Sequence, residues 1–491
     1  MILNLTPYRY GPYLTFQSPN GFSLRCKSPA WDGTLEYSLD EETWTVWDGS
    51  RIVTGRVLYL RGTGNTQISK QNCSFVIDGS GVACIGNIET LLDYETVVNG
   101  EHPAMAASCF SWLFYGCTAL TAAPALPAMT LAEYCYCRMF YGCTALTAAP
   151  ALPAMTLADS CYYRMFQGCT GLRAAPELPA RTLASSCYRS MFLMCTGLTA
   201  APELPVTTLA DYCYYSMFGK CTGLTAAPVL PATTLVPSCY GAMFDGCTGL
   251  TAAPELPATT LASYCYENMF NGCTGLTAAP ELPATTLAGS CYYRMFWNCT
   301  GLTAAPALPA TTLVPSCYSA MFNGCTGLTA APELPARTLA SNCYESMFEL
   351  CTGLTAAPAL PAMTLAEYCY YRMFWNCTGL TAAPALPAMT LADSCYYRMF
   401  QGCTALTTIP KLFAITLERN CYSSMFLSCK KLKLSAAQAG EYSTPYRIPS
   451  SGTGTTASYA LLDMFEETGG TFTGTPEINT TYYLSTSNSV V

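Results

Sequence analysis

Five glutamates, Glu177, Glu203, Glu255, Glu281 and Glu333, occupy the same place in a phrase that recurs every 26 residues. Carboxylates set in such a row can act as paired acid and base, or as hard oxygen ligands for calcium. They can equally be solvated charges that discourage strand-to-strand aggregation. Ala151, Val229, Ala307 and Lys411 interrupt the row at equivalent places, which favours the solvated reading. A second variable set carries rings and guanidinium groups. Tyr141, Trp297 and Trp375 fall late in the phrase beside Arg164, Arg294, Arg372 and Arg398, while Arg181 and Arg337 share an earlier place with Met129, Met155, Met363 and Met389. Aromatic and arginine side chains are the usual anchors of interfaces, so these residues and the glutamates are the candidate binding residues. Tolerated surface drift is the alternative.

Thiols are the other recurrent chemistry. Thirteen cysteines from Cys117 to Cys429 and thirteen more from Cys109 to Cys421 each step by 26, leaving Cys26, Cys73, Cys84 and Cys137 outside the two rows. If the segment between Cys265 and Cys273 is helical, its rise of about 12 Å exceeds the reach of about 7 Å that a disulfide spans. Bridging from copy to copy stays geometrically open, but an odd number in each row favours buried thiols acting as small hydrophobes. Zinc is not expected, because the chain has no C-x-x-C and a single histidine, His102, beside Pro103 in what reads as an exposed junction. One histidine also leaves Ser–His and Cys–His nucleophile pairs almost nothing to work with, and Gly62 to Asn65 reads as a turn rather than a phosphate loop. The expectation is a protein that is not an enzyme and takes no cofactor or metal.

The elements that must position these residues follow from the phrase itself, which runs twelve times from Cys117 to Ser428. Numbering each copy from its first cysteine, positions 4, 8, 10 and 11 are nearly always Leu, Pro, Leu and Pro, as in Leu250, Pro254, Leu256 and Pro257. That spacing suits a short extended segment with one face inward, kept short by prolines that cannot donate. Position 14 is Thr, and Thr130 with Glu133, Thr156 with Asp159, Thr208 with Asp211 and Thr364 with Glu367 read as capping boxes opening a helix. Positions 19, 20, 23 and 24 are constant, as Cys265, Tyr266, Met269 and Phe270, and their spacing predicts a two-turn helix with one buried face. Copies that bury their apolar face only by stacking make a solenoid. The expected fold is therefore an α/β repeat solenoid of 26-residue units, with a parallel sheet and short helices.

Residues 1–100 carry no repeat; short alternating segments between turn residues predict a β-sandwich module. Trp31, Trp44 and Trp47 there are either a ligand-stacking platform or anchors of the core. The solenoid is expected over 101–434, opening with a half-unit in which Cys109, Phe110 and Phe114 echo the constant residues. A C-terminal cap is expected over 435–491, with Leu461 to Phe465 as a last echo.

The phrase C-T-x-L-T…L-P…T-L…C-Y-x-x-M-F-x-G-C resembles the BspA-type leucine-rich repeats of bacterial surface proteins. Over roughly Cys109 to Leu434 it departs in unit length and in the M-F and C-Y pairs. Arrays headed by a module like Trp31 to Ser38 also resemble those of prophage-encoded proteins. The resemblance implies a leucine-rich-repeat fold and a recognition or adhesion role toward a host-surface glycan or protein. It implies a place on a phage tail or fibre, with the N-terminal module contacting other virion proteins. A bacterial surface adhesin, an architectural spacer and a cytoplasmic scaffold are the alternatives. Net charge of −8 with no basic cluster argues against nucleic acid, and no run of eighteen apolar residues argues for membrane insertion. The first residues lack the pattern of a Sec signal peptide.

Overall fold

The computed structural model describes residues 13–491. The chain divides into two compact units, Met1–Val229 and Leu230–Val491.

The first unit opens with strands β1 (Leu14–Lys27), β2 (Thr34–Ser38), β3 (Thr45–Val46), β4 (Val53–Thr63), β5 (Ser74–Gly79) and β6 (Val82–Ile85). In β1, Leu14, Phe16, Phe22, Leu24 and Cys26 are buried, the alternation of a strand with one covered face. A register shift between Gln17 and Phe22 divides β1 in two. Its first half pairs with β6 and its second half with β5, while β4 runs beside both. The expected two-sheet sandwich is therefore replaced by one connected sheet of order β3-β2-β4-β1-β6-β7, with β5 also on β1. Strand β7 (Leu120–Ala122) belongs to the first repeat copy and pairs parallel with β6. Phe114 of the same region packs on Phe75 at 5.6 Å and on Phe16 at 6.2 Å. Between sheet and repeats lie a single 3-10 turn, Ile88–Leu91, and helix α1 (Tyr94–Val98), capped by Asn87 and Asp93. These are the only helical segments among the described residues.

The repeats form solenoid coils, but the helices expected in them are absent. Positions 16 to 27 instead form a ribbon of successive β-turns. In the copy from Cys247, the N–H groups of Cys265, Glu267, Met269 and Asn271 donate to Ala262, Tyr264, Tyr266 and Asn268, three residues back. The alternate N–H groups of Tyr266, Asn268, Phe270 and Gly272 donate instead to Cys291, Tyr293, Met295 and Trp297 of the next coil, at 2.7–3.0 Å. The carbonyls alternate the same way, so this half of the backbone is paired throughout. Every other turn needs a positive φ at its third residue, as type II turns do. Tyr264, Asn268 and Gly272 supply it at 58°, 52° and 67°. Glycine at position 26 is relaxed there, because it has no Cβ to clash.

The constant residues are buried as expected, in rows that stack rather than on a helix face. In the first unit Tyr162 and Tyr188 lie 5.7 Å apart at 3°, and Phe166 and Phe192 the same. In the second, Tyr266 stacks on Tyr292 at 5.8 Å and Phe270 on Phe296 at 5.6 Å. The expected strand is also shorter than read. Prolines at positions 8 and 11 remove donors, and the coils are joined there by isolated parallel bridges such as Ala278 with Ala304 and Thr260 with Thr286. Three of the four threonines read as helix caps are bridge residues, Thr130 pairing with Thr156 and Thr364 with Thr390, while Thr208 lies in a bend.

The second unit ends by hydrogen-bonding non-repeat chain onto the coils. Strands β8 (Thr408–Ile409) and β9 (Thr416–Leu417) pair parallel with β14 (Ser489–Val490) and β12 (Thr455–Thr456). Strands β10 (Leu434–Ser435), β13 (Thr481–Ser485) and β11 (Tyr442–Arg447) make a small antiparallel sheet in that order. The N–H groups of Tyr422, Ser424 and Phe426 find Ala460, Leu462 and Met464, so the last echo continues the ribbon. Phe465 stacks on Phe426 at 5.7 Å. No helix among the described residues is long and apolar enough to cross a membrane.

Candidate binding surface

The variable positions of the coils face solvent on two sides. On the bridge side, Glu177, Glu203, Glu255, Glu281 and Glu333 are all exposed, as are Arg181 and Arg337. Met389 there is 62% exposed. Glu177 and Glu203 come from adjacent coils and share a shallow groove of about 390 Å³ with Arg181 and the proline rims. Glu255 and Glu281 line a similar one of about 510 Å³. Glu333 has alanines, Ala307 and Ala359, at the same place in the neighbouring copies. Among the described residues no group of three His, Cys, Asp or Glu is placed to hold a metal. The bridge side offers paired carboxylates in open water.

The ribbon side is built differently, because positions 21, 22 and 25 lean on their counterparts in the next coil. In the first unit Tyr141 stacks on Tyr115 at 4.7 Å, and Tyr115 on Trp112 at 4.6 Å. Arg138 covers Trp112 at 4.6 Å and approaches Tyr163 at 5.6 Å; Arg164 covers Tyr163 at 5.0 Å. Arg189 touches Tyr163, Tyr212 and Tyr215 between 5.0 and 5.8 Å. The result is a half-buried ladder of rings and guanidinium groups running over several coils. The Nε atoms of Arg138, Arg164 and Arg189 are buried without a hydrogen-bond acceptor. Among the described residues none of the three arginines has a carboxylate at ion-pair distance. Each ring contact contributes about 0.5–1 kcal/mol at such exposure.

The second unit repeats the motif in separate patches. Trp297 lies under Arg294 at 4.2 Å, beside Tyr293. Trp375 lies 5.3 Å from Arg372, and Tyr371 stacks on Tyr397 next to Arg398. Glu345, Ser346 and Glu349 stand at the same positions in a copy between the two tryptophans. Trp297 and Trp375 are half-buried rather than open, so the structure makes each a member of a stack and does not bring the two together.

Sequence reasoning missed Trp112, Tyr115, Arg138, Tyr163, Arg189, Tyr212 and Tyr215, which complete the first ladder. Their signal was the alternation of aromatic and arginine at positions 21 and 22, as in Tyr163-Arg164. It also missed Glu89. That side chain is fully buried on the 3-10 turn and meets Nδ1 of His102 at 2.7 Å, while its Oε1 has no partner. Burial raises the Glu89 carboxyl above the usual range, against the pull of His102. The pair opens on a cavity of about 380 Å³ lined by Met105, Met129, Thr130 and Leu131. His102 is 54% exposed yet tied down, so it is more than a junction residue. No sequence signal joins two residues thirteen apart across a turn and a helix.

The three N-terminal tryptophans do not form a platform. Trp47 is buried and donates to the Arg51 carbonyl at 2.9 Å, with Trp31 stacked on it at 5.9 Å. Trp44 packs apart from them, under Arg61 at 4.1 Å. They are anchors of the module.

No protein-family model and no curated protein matches this sequence.

Proposed function

We propose that the chain is a non-catalytic recognition protein whose coils present the ribbon side to a glycan or protein on a host surface. The observation that carries this is the ladder from Trp112 to Tyr215: guanidinium groups over rings, with no carboxylate partner. Ring faces suit the apolar faces of sugars, and unpaired arginines suit their anionic substituents. On the fold, we read the array as a divergent relative of the BspA-type leucine-rich repeats, keeping the shared phrase while a turn ribbon replaces the helical side. We place the protein on a phage tail or fibre, with the N-terminal module as the contact to other virion proteins; a bacterial surface adhesin would use the same ladder.

The test is adsorption of the purified protein to host cells or a glycan array. The double variants Arg164→Ala with Arg189→Ala and Trp297→Ala with Trp375→Ala should each weaken it about tenfold or more, as loss of anchor residues does. Adsorption unchanged in both removes the coils from binding and leaves them as an architectural spacer. That second reading is favoured by Arg294 and Arg372, which already cover the two tryptophans.

A further inference from the structure

One pair of cysteines differs from the repeat cysteines at position 1. In the repeats, position-1 thiols donate to a backbone carbonyl: Cys169 to Phe140 and Cys299 to Phe270, both at 3.0 Å. Burial pushes the Cys169 thiol up to about 12, out of reach of thiolate chemistry near neutral pH. Cys26 and Cys73 face each other, sulfur to sulfur, at 3.6 Å, and their contacts to the carbonyls of Lys27 and Ile68 are longer, at 3.8 Å. The sheet sets the distance between the sulfurs. Cys26 is the last residue but one of β1, opposite Phe75, and Cys73 stands one residue before β5, whose Ser74 pairs with Lys27. A disulfide needs the sulfurs to close to about 2 Å, well within side-chain movement from here.

We propose that Cys26 and Cys73 are a redox-active dithiol that a small anionic disulfide converts into a bridge closing the N-terminal module. Access is short, because each cysteine is flanked by exposed residues, Lys27 to Pro29 after Cys26 and Lys70 to Asn72 before Cys73. Their two ammonium groups attract a negatively charged reagent such as oxidised glutathione. The two thiols are also unequal. The contact between the sulfurs lowers one thiol and raises the other, and the charge of Lys70 makes Cys73 the lowered one. Cys73 is therefore the attacking sulfur. Its thiolate displaces one half of the reagent and forms a mixed disulfide. Cys26 then loses its proton and attacks the Cys73 sulfur, expelling the second half. Two electrons pass to the reagent, which leaves as two thiols, and one S–S bond is made for the one broken. The bridge spans 47 residues and encloses β2, β3 and β4.

The experiment treats the folded, reduced full chain with oxidised glutathione, alkylates the remaining thiols in denaturant and maps the peptides. The expected result is loss of two of the thirty thiols and a linked peptide joining Cys26 to Cys73. Single variants assign the roles: Cys26→Ser should trap glutathione on Cys73, and Cys73→Ser should leave Cys26 largely unmodified. Far-ultraviolet circular dichroism checks that both variants fold; if either does not, linkage in the unsubstituted chain still decides the pairing. Failure to find the linked peptide, or bridges among the repeat cysteines in its place, overturns the proposal. Equal adducts on Cys26 and Cys73 in the two folded variants overturn the assignment of attacker. Host adsorption plays no part in these readouts, so they stand apart from the binding test.

Discussion

The sheet that opens the chain and the coils that follow it both bury aromatic side chains, but they surround them differently. In the sheet each ring has unlike neighbours: Phe75 meets Phe16, Trp47 and Phe114 at steep or tilted angles. Its environment is assembled from strands far apart in sequence. In the coils each ring lies on its own copy, as Phe270 lies between Phe244 and Phe296 at 5.7 and 5.6 Å, nearly parallel. The sheet depends on unique complementarity. The coils depend on repetition, so one solution to packing and hydrogen bonding serves many residues, and nearest neighbours carry the stability.

The largest test of that contrast is deletion. Removing 273–298, one whole copy, should leave a single cooperative thermal transition, because the flanking coils present the same edges. Removing 273–285 alone should abolish cooperative unfolding in the coils, because a bridge segment would then meet a ribbon. Identical melts for the two deletions would break the contrast. Next in size, Phe270→Ala and Phe75→Ala should each cost about 3–5 kcal/mol in chemical denaturation. The coil variant should fall at the upper end, since it strips a stacking partner from rings on both sides; the reverse order would count against nearest-neighbour packing.

A smaller effect is expected at the junction. Because the Glu89 carboxyl is raised by burial, the folded protein keeps its proton to higher pH than the unfolded chain does. Stability should therefore fall as pH rises from the ordinary carboxylate value through the raised one, and then level off. Glu89→Gln should flatten that part of the melting-temperature profile, and a profile unchanged from the parent would remove Glu89 from the balance. The smallest effect belongs to the exposed row. Glu255→Ala should shift stability by no more than about 0.5 kcal/mol; a larger loss would mean that the groove shared with Glu281 is part of the fold.

The residues show why part of this was legible in the sequence and part was not. Repetition announces the solenoid, and the constancy of Cys265, Tyr266, Met269 and Phe270 marks the interior correctly. The same spacing fits a helix face and a turn ribbon alike. What separates them is where the N–H of Phe270 goes, and its acceptor, Met295, lies 25 residues away. Left-handed positions held by Tyr264 and Asn268 conceal the ribbon further, and the recurrent Gly272 was the one overt clue. On the surface, the candidate residues were legible as a variable set, but their stacking on arginines was not, because it joins neighbouring coils. Glu89 and His102 meet only through the path of the chain between them.

The last coil shows where this architecture accepts added sequence. Phe465 follows Phe426 by 39 residues, where every earlier step in that row is 26. The surplus is absorbed between Cys429 and Tyr459, on the bridge half, while the ribbon from Ala460 keeps its alternation and its partners. A peptide or small domain spliced into the bridge half of any copy should be carried without disturbing the stack. One residue added to the ribbon half would exchange the N–H groups that turn back with those that reach the next coil. Each coil thus has a half open to grafting and a half in which single-residue insertions are forbidden, and a designer could load cargo at intervals set by the copy number.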